Sequence, residues 1–210
     1  MKKSCIMVSA GPVAENQCIP EAFAEAFVIA CDAGWKNCKK LGLIPDLVLG
    51  DFDSSEAPKQ DGVVVLPKEK DDTDTHCAAR QAVEKGFDQV LMLGALGGAR
   101  MEHTLANIGT ALWLEQQGVH TTLMNEKSRV SIVLPGKART FAQSGYQYIS
   151  LFPLEGKVED ITLTGAKYSL QHASLDMSYP VGVSNEWNSD KITILTQKGA
   201  LLVVETIADR

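Results

Sequence analysis

No apolar run in this 210-residue chain approaches the length of a membrane span, which argues against a helical membrane protein. A basic balance is missing too: 20 Lys and Arg stand against 26 Asp and Glu, for a formal net charge of -6. General nucleic-acid binders and anionic-membrane binders want a basic field, so neither class fits, and basic residues must work singly. There is no Cys-x-x-Cys pair. The five cysteines, Cys5, Cys18, Cys31, Cys38 and Cys77, show no paired rhythm and read as free, mostly buried thiols in a reducing cytoplasm. The start, from Met1 to Gly11, has a basic beginning but too short an apolar run for a signal peptide. It reads instead as a first strand feeding a glycine turn. Repeats, low-complexity segments and flexible linkers are also lacking. With 45% hydrophobic residues, what remains is enough core for one large domain or two modest ones.

The texture changes once along the chain. Up to about residue 125, short apolar runs suited to buried parallel strands (Ile6 to Ser9, Phe27 to Cys31, Leu47 to Leu49, Val63 to Leu66, Val90 to Leu93, Thr121 to Met124) alternate with helical stretches. The helices are expected over Trp35 to Leu41, Thr75 to Lys85 and Thr104 to Gln117, the last with Leu105, Ile108, Leu112 and Leu114 broadly on one side. That alternation predicts an α/β layer with a mostly parallel sheet over residues 1–126. Over 127–210 the helices stop. Arg129 to Leu134, Tyr146 to Phe152, Val158 to Leu163, Ile192 to Thr196 and Leu201 to Glu205 are strand-like and divided by glycine and proline turns, which predicts an all-β sandwich or barrel.

Three segments carry chemistry. In Leu47-Val48-Leu49-Gly50-Asp51-Phe52-Asp53-Ser54, a strand ends in two aspartates one residue apart. Extended backbone would put Asp51 and Asp53 on one face and turn Phe52 back toward the core, leaving two carboxylates suited to Mg²⁺. An Asp-rich turn without a ligand is the plainer alternative. Asp71-Asp72-Thr73-Asp74 follows the next strand and precedes a helix, so it lies on the same carboxyl edge, where ligands bind in open α/β sheets. Helix capping by Thr73 and Asp74 would explain it equally well alone. Beside the first pair, however, it suits a metal carrying polyphosphate, with Lys68, Lys70 and Arg100 offsetting phosphate charge. The third segment, Gly94-Ala95-Leu96-Gly97-Gly98-Ala99-Arg100-Met101-Glu102-His103, is again strand, glycine turn and helix start, and lets backbone N–H groups approach a phosphate.

In this order, together with Cys31-Asp32-Ala33-Gly34, Pro45-Asp46, Gly165-Ala166-Lys167-Tyr168 and Gly182-Val183-Ser184-Asn185-Glu186-Trp187, these segments resemble thiamine pyrophosphokinase over nearly the whole chain. The resemblance implies an α/β catalytic domain, a C-terminal β-sandwich that helps hold thiamine, and a homodimer whose active sites are shared between subunits. It implies transfer of a diphosphate from ATP to the thiamine hydroxyl, with release of AMP. Carried over by position, Asp51, Asp53 and Asp74 would be Mg²⁺ ligands, and Asp71 would lie close by to orient the hydroxyl. Arg100 would act in catalysis. Asp32, Ala33, Gly34, Lys68, Gly97, Gly98, Arg100, Glu102 and His103 would contact ATP, while Lys70, Ser184, Asn185 and Trp187 would meet thiamine. An indole face at Trp187 suits a cationic thiazolium, though a packing role is the commoner use of tryptophan.

The chain departs from the family's usual pattern in places. Ala33 stands where a second glycine is usual and should resist a positive φ. Ala99 and Glu102 interrupt the usual Gly-Gly-Arg-x-Asp-His, and Glu102 carries its charge about one bond length further out. Other classes are weaker matches. A haloacid-dehalogenase phosphatase would place Asp-x-Asp after the first strand rather than the third. A pterin-type diphosphokinase or a non-catalytic thiamine or nucleotide sensor are the remaining alternatives.

Overall fold

A computed structural model describes residues 3–208 except Asn16, Ser54, Ser55, Lys68 and Lys70, and the chain divides into two compact units, Met1–Glu126 and Lys127–Arg210. The first unit runs β1 (Ser4–Val8), a single 3-10 turn, β2 (Phe27–Cys31), α1 (Gly34–Leu41), β3 (Leu47–Gly50), β4 (Val63–Val65), α2 (Asp74–Glu84), β5 (Gln89–Leu93), α3 (Met101–Gln116) and β6 (His120–Met124). Its strands lie in the order β6-β5-β1-β2-β3-β4, and every pair given a register among them is parallel. The central strands are apolar on both faces because both are covered: Ile6, Val8, Ala30, Val48, Leu91 and Leu93 join one buried cluster, with Trp35 and Phe52 packed against it.

Two expectations fail here for local reasons. β4 is an edge strand rather than a buried one, and Val65 is 67% exposed. On α3 the buried stripe is Asn107, Thr110, Ala111 and Leu114, whereas Leu105 is 63% exposed. Positions 107, 111 and 114 repeat at helical spacing, and Leu105, two residues before Asn107, falls on roughly the opposite side of a 3.6-residue helix. Of the expected leucines and isoleucine, Leu114 alone is fully buried, in company with small and polar side chains.

All five cysteines are free thiols. Burial, with a smaller push from Asp46 at Cys5, raises the Cys5 thiol to about 12, and burial does the same to Cys38. Both behave as small apolar core residues.

The second unit is built from β7 (Ser128–Val133), β8 (Arg139–Ala142), β9 (Tyr148–Pro153), β10 (Lys157–Thr164), β11 (Leu170–Asp176), β12 (Asn185–Glu186), β13 (Lys191–Leu195) and β14 (Leu201–Thr206). Strands β12-β9-β14-β7 and β11-β10-β13-β8 form two antiparallel layers. Val133, Ile149, Leu151 and Val203 from one layer meet Phe141, Ile161, Ile192 and Ile194 from the other in a shared core, which makes the unit a sandwich.

One charge pair is set into this unit. Glu205 is fully buried opposite Arg129, whose guanidinium donates to both carboxylate oxygens at 2.6 and 2.5 Å and lies over the Tyr146 ring at 4.9 Å. Burial works against the Arg129 charge, but the hydrogen bonds and charge of Glu205 outweigh it and raise the guanidinium pKa. Arg129→Met would strand a buried carboxylate, so it should cost about 3 kcal/mol in urea unfolding. Adding Glu205→Leu should recover most of that loss. A single variant within about 0.5 kcal/mol of wild type, the ordinary scale of a surface substitution, would contradict this.

Candidate active site

β1 lies between β5 and β2, so the chain's progress across the first sheet reverses there. Loops leaving such neighbouring strands diverge and open a crevice at the carboxyl edge. The crevice is present as a cleft of about 430 Å³. Its walls are the turn after β1 (Ser9 to Pro12), the end of β2 (Cys31 to Ala33), the start of α2 (Thr73 to Thr75), and the turn after β5 continuing into α3, with Gly94, Gly97, Arg100, His103 and Asn107 among its residues.

Backbone fit brings the carboxylates together. A Cβ on Gly50 would stand 2.8 Å from the Cα of Asp32, so only glycine lets the ends of β2 and β3 approach this closely. Asp32 is itself held at φ 46°, with its N–H donated to Leu49 O at 2.7 Å. Asp74 opens α2, where the Thr73 hydroxyl caps the helix by accepting from His76 N–H at 3.1 Å. As a result Asp32, Asp51 and Asp74 each offer a carboxylate oxygen within 4.8 Å of the others.

The sequence placed Asp51 and Asp53 on one face of an extended strand, and that geometry is corrected. β3 ends at Gly50 and Phe52 takes φ 50°, so the alternation is broken. Phe52 does turn back onto the core. Asp53 is exposed, its N–H donates to Asp51 Oδ1 at 3.2 Å, and it lies outside the three-carboxylate group. Asp32, read in sequence as a nucleotide contact, stands in that group and also lines the cleft.

Asp71 is exposed in the loop before α2, and the neighbouring Asp72 pairs with Arg80 at 2.9 Å. Lys68 and Lys70 lie outside the described residues. At the cleft rim, Arg100 donates to Glu102 at 2.7 Å, and His103 stands 4.0 Å from the same oxygen. The bond from Arg100, then Glu102's own backbone hydrogen bond, hold the Glu102 carboxyl below the usual range. Gly97 and Gly98 take φ of 78° and 91°, and the Gly97 N–H is donated to Thr104 Oγ1 at 3.0 Å rather than held open for a ligand.

The Ala33 departure has a local answer. Ala33 sits at φ -63° in ordinary helical geometry, and the positive φ falls on Asp32 instead. Gly34 next to it is required by space, since a Cβ there would overlap the Val8 carbonyl.

In the second unit, Ser184 takes φ 57° and its N–H donates to Ser150 Oγ. The Asn185 carboxamide is occupied with backbone: Oδ1 accepts from Tyr168 N–H at 3.0 Å and Nδ2 donates to Tyr168 O at 2.8 Å. Trp187 is half-buried against the sandwich core, and its indole N–H meets no acceptor among the described residues. Sequence reading did not mark Ser9, Pro12, Thr75 or Thr104 as cleft residues. The only signal for the first two was the Gly11-Pro12 turn after an apolar run.

Residues 21–123 match the family described as Thiamin pyrophosphokinase, catalytic domain, and residues 139–201 match Thiamin pyrophosphokinase, vitamin B1 binding domain. Thiamine pyrophosphokinase from Bacillus subtilis is 28% identical over 185 residues, spanning 85% of this chain and 86% of that protein. A crystal structure of thiamine pyrophosphokinase from the same organism aligns with a TM-score of 0.86 at 25% identity, covering 99% of this chain and 100% of the other. The thiamin pyrophosphokinase structure from Geobacillus thermodenitrificans aligns with a TM-score of 0.81 at 26% identity, covering 98% of each.

Proposed function

Since this chain belongs to the thiamin pyrophosphokinase family, we propose that it moves a diphosphate group from ATP to the hydroxyl of thiamine, giving thiamine diphosphate and AMP, with Mg²⁺ as the required ion. It is a transferase of that type, and the finer details rest on the site. The observation that carries them is the group of Asp32, Asp51 and Asp74, three carboxylate oxygens within 4.8 Å of one another. Asp32 and Asp74 also line a cleft of a size that holds a small ligand. Like charges this close repel, and an all-oxygen donor set fits a hard divalent cation.

Asp51 and Asp74 would hold Mg²⁺, with Asp32 beside them by geometry and Asp53 by the family pattern. When bound, the ion neutralises charge on the phosphate oxygens being transferred. The rest falls to the chain. The start of α2 directs its dipole at the cleft, and the glycine turn before α3 lets a phosphate approach backbone. Arg100 offsets charge on the departing AMP side by exchanging Glu102 for phosphate. We assign Asp71 to orienting the thiamine hydroxyl, and Lys68 and His103 to ATP.

Ser184, Asn185 and Trp187 are assigned to thiamine on the strength of the vitamin B1 binding match around them, and Lys70 by the family pattern. Asn185 would act there by holding the Tyr168 segment. We further propose a homodimer in which the α/β unit of one chain and the β unit of its partner complete each site. Among the described residues no helix is long and apolar enough to cross a membrane, and the free thiols support a cytoplasmic location.

Metal removal tests the reading. Turnover should require ATP, thiamine and Mg²⁺ together, vanish with excess chelator, and return when Mg²⁺ is restored. Undiminished turnover in chelator would reject the assigned role of the carboxylates.

A further inference from the structure

Asn37 is polar, 6% exposed, and absent from the cleft wall, yet its carboxamide governs the backbone that forms part of that wall. The pairing of β1 with β2 ends at Val8. On the other side, the chain after β1 continues along the turn after β5, through Ser9 N–H to Leu93 O at 2.8 Å and Gly11 N–H to Gly94 O at 2.9 Å. In extended backbone a residue's carbonyl points the same way as its N–H, so the Ser9 carbonyl also faces the turn after β5, and a Cβ on Gly94 would come within 2.4 Å of it. Asn37 Nδ2 donates to the carbonyls of Ser9 and Gly11, at 2.8 and 2.7 Å. Two carbonyl partners require a donor, which fixes the orientation of the amide.

Neighbouring glycines hold it in place. A Cβ on Gly94 would come within 3.2 Å of Asn37 Nδ2, and one on Gly11 within 2.5 Å of the Gly94 carbonyl. Nδ2 therefore binds two carbonyls of the one turn after β1, and a side chain at Gly94 would crowd both the amide and the Ser9 carbonyl. Both carbonyl oxygens are drawn toward the amide hydrogens, which reduces their repulsion of an anion in the cleft.

We propose that Asn37 is a positioning residue for the phosphate chain of the nucleotide. It fixes the Ser9 to Gly11 wall and engages carbonyls that would otherwise repel that chain. This rests on the cleft being the ATP site. Asn37→Asp keeps the shape but sets a carboxylate against two carbonyls, and Asn37→Ser keeps one shorter donor. In the full-length protein, Asn37→Asp should raise KM for ATP by about tenfold or more, the scale of a modest misplacement of a binding group. KM for thiamine should stay within about twofold, with Asn37→Ser intermediate for ATP.

Equal rises in both KM values, or a lowered melting temperature with unchanged kinetics, would overturn the proposal. If Asn37→Asp does not fold, Asn37→Ser decides, since an ATP-selective rise supports the proposal and an unchanged KM for ATP overturns it. Calorimetry with Mg²⁺-ATP separates the two levels of inference. Wild type that binds no ATP overturns the functional reading and this proposal with it. Wild type and Asn37→Ser binding ATP equally well overturn the role of Asn37 alone.

Discussion

Asp51→Asn and Asp74→Asn should each lower turnover by roughly a hundredfold or more, the scale on which a stabiliser of developing charge is lost. Both residues belong to the three-carboxylate group, and both lie at strand or helix ends rather than in the apolar core. Each change keeps the side-chain shape and removes one charge from a mutually repelling set. Melting temperature should therefore hold steady or rise while activity collapses. The defect should also appear as a raised Mg²⁺ requirement when the ion is titrated at saturating ATP.

Asp32 and Asp53 separate the geometric ligand set from the one the family pattern implies. Asp32 stands within the group and Asp53 is exposed outside it, so Asp32→Asn should cost more than Asp53→Asn. The reverse order would assign Asp53 in its place. Near-normal turnover in all four variants would mean that the ligands lie elsewhere.

Mixing two inactive variants should restore activity. Asp51→Asn disables the α/β unit, and Trp187→Ala disables the β unit at the residue assigned to thiamine. If one site is built from the α/β unit of one subunit and the β unit of its partner, each mixed dimer contains one site with Asp51 and Trp187 both intact. Half-buried Trp187 packs on the sandwich core, so its truncation should cost less than the ~3–5 kcal/mol typical of a fully buried tryptophan. The variant should remain folded below its melting point. Activity that appears only after subunit exchange supports the shared site. No recovery, with mixed dimers verified by mass, rejects it.

The parts of this fold that could be read from sequence are those where burial and composition coincide. β1, β2, β3 and β5 are apolar runs because helices cover the sheet, and the strand-and-helix alternation followed from them. β8, β11 and β12 gave no such signal. β11 carries Gln171, His172 and Asp176 on exposed positions, Phe141 is the lone buried residue of β8, and β12 is two residues long.

The site divides in a similar way. Asp51 and Asp74 were legible because each terminates or opens an element at the carboxyl edge. The place of Asp32 beside them was not, because it depends on Gly50 packing against its backbone across two strands. The left-handed turn at Phe52, which takes Asp53 away from Asp51's face, has no glycine or asparagine to announce it. Asn37 was equally silent, since an asparagine among lysines and a cysteine in a short helix reads as surface.

The central claim is tested most directly by incubating the protein with Mg²⁺-ATP and thiamine and identifying both products by mass. AMP and thiamine diphosphate should appear in equal amounts. ADP with thiamine monophosphate, or free phosphate with thiamine unchanged, would contradict diphosphate transfer.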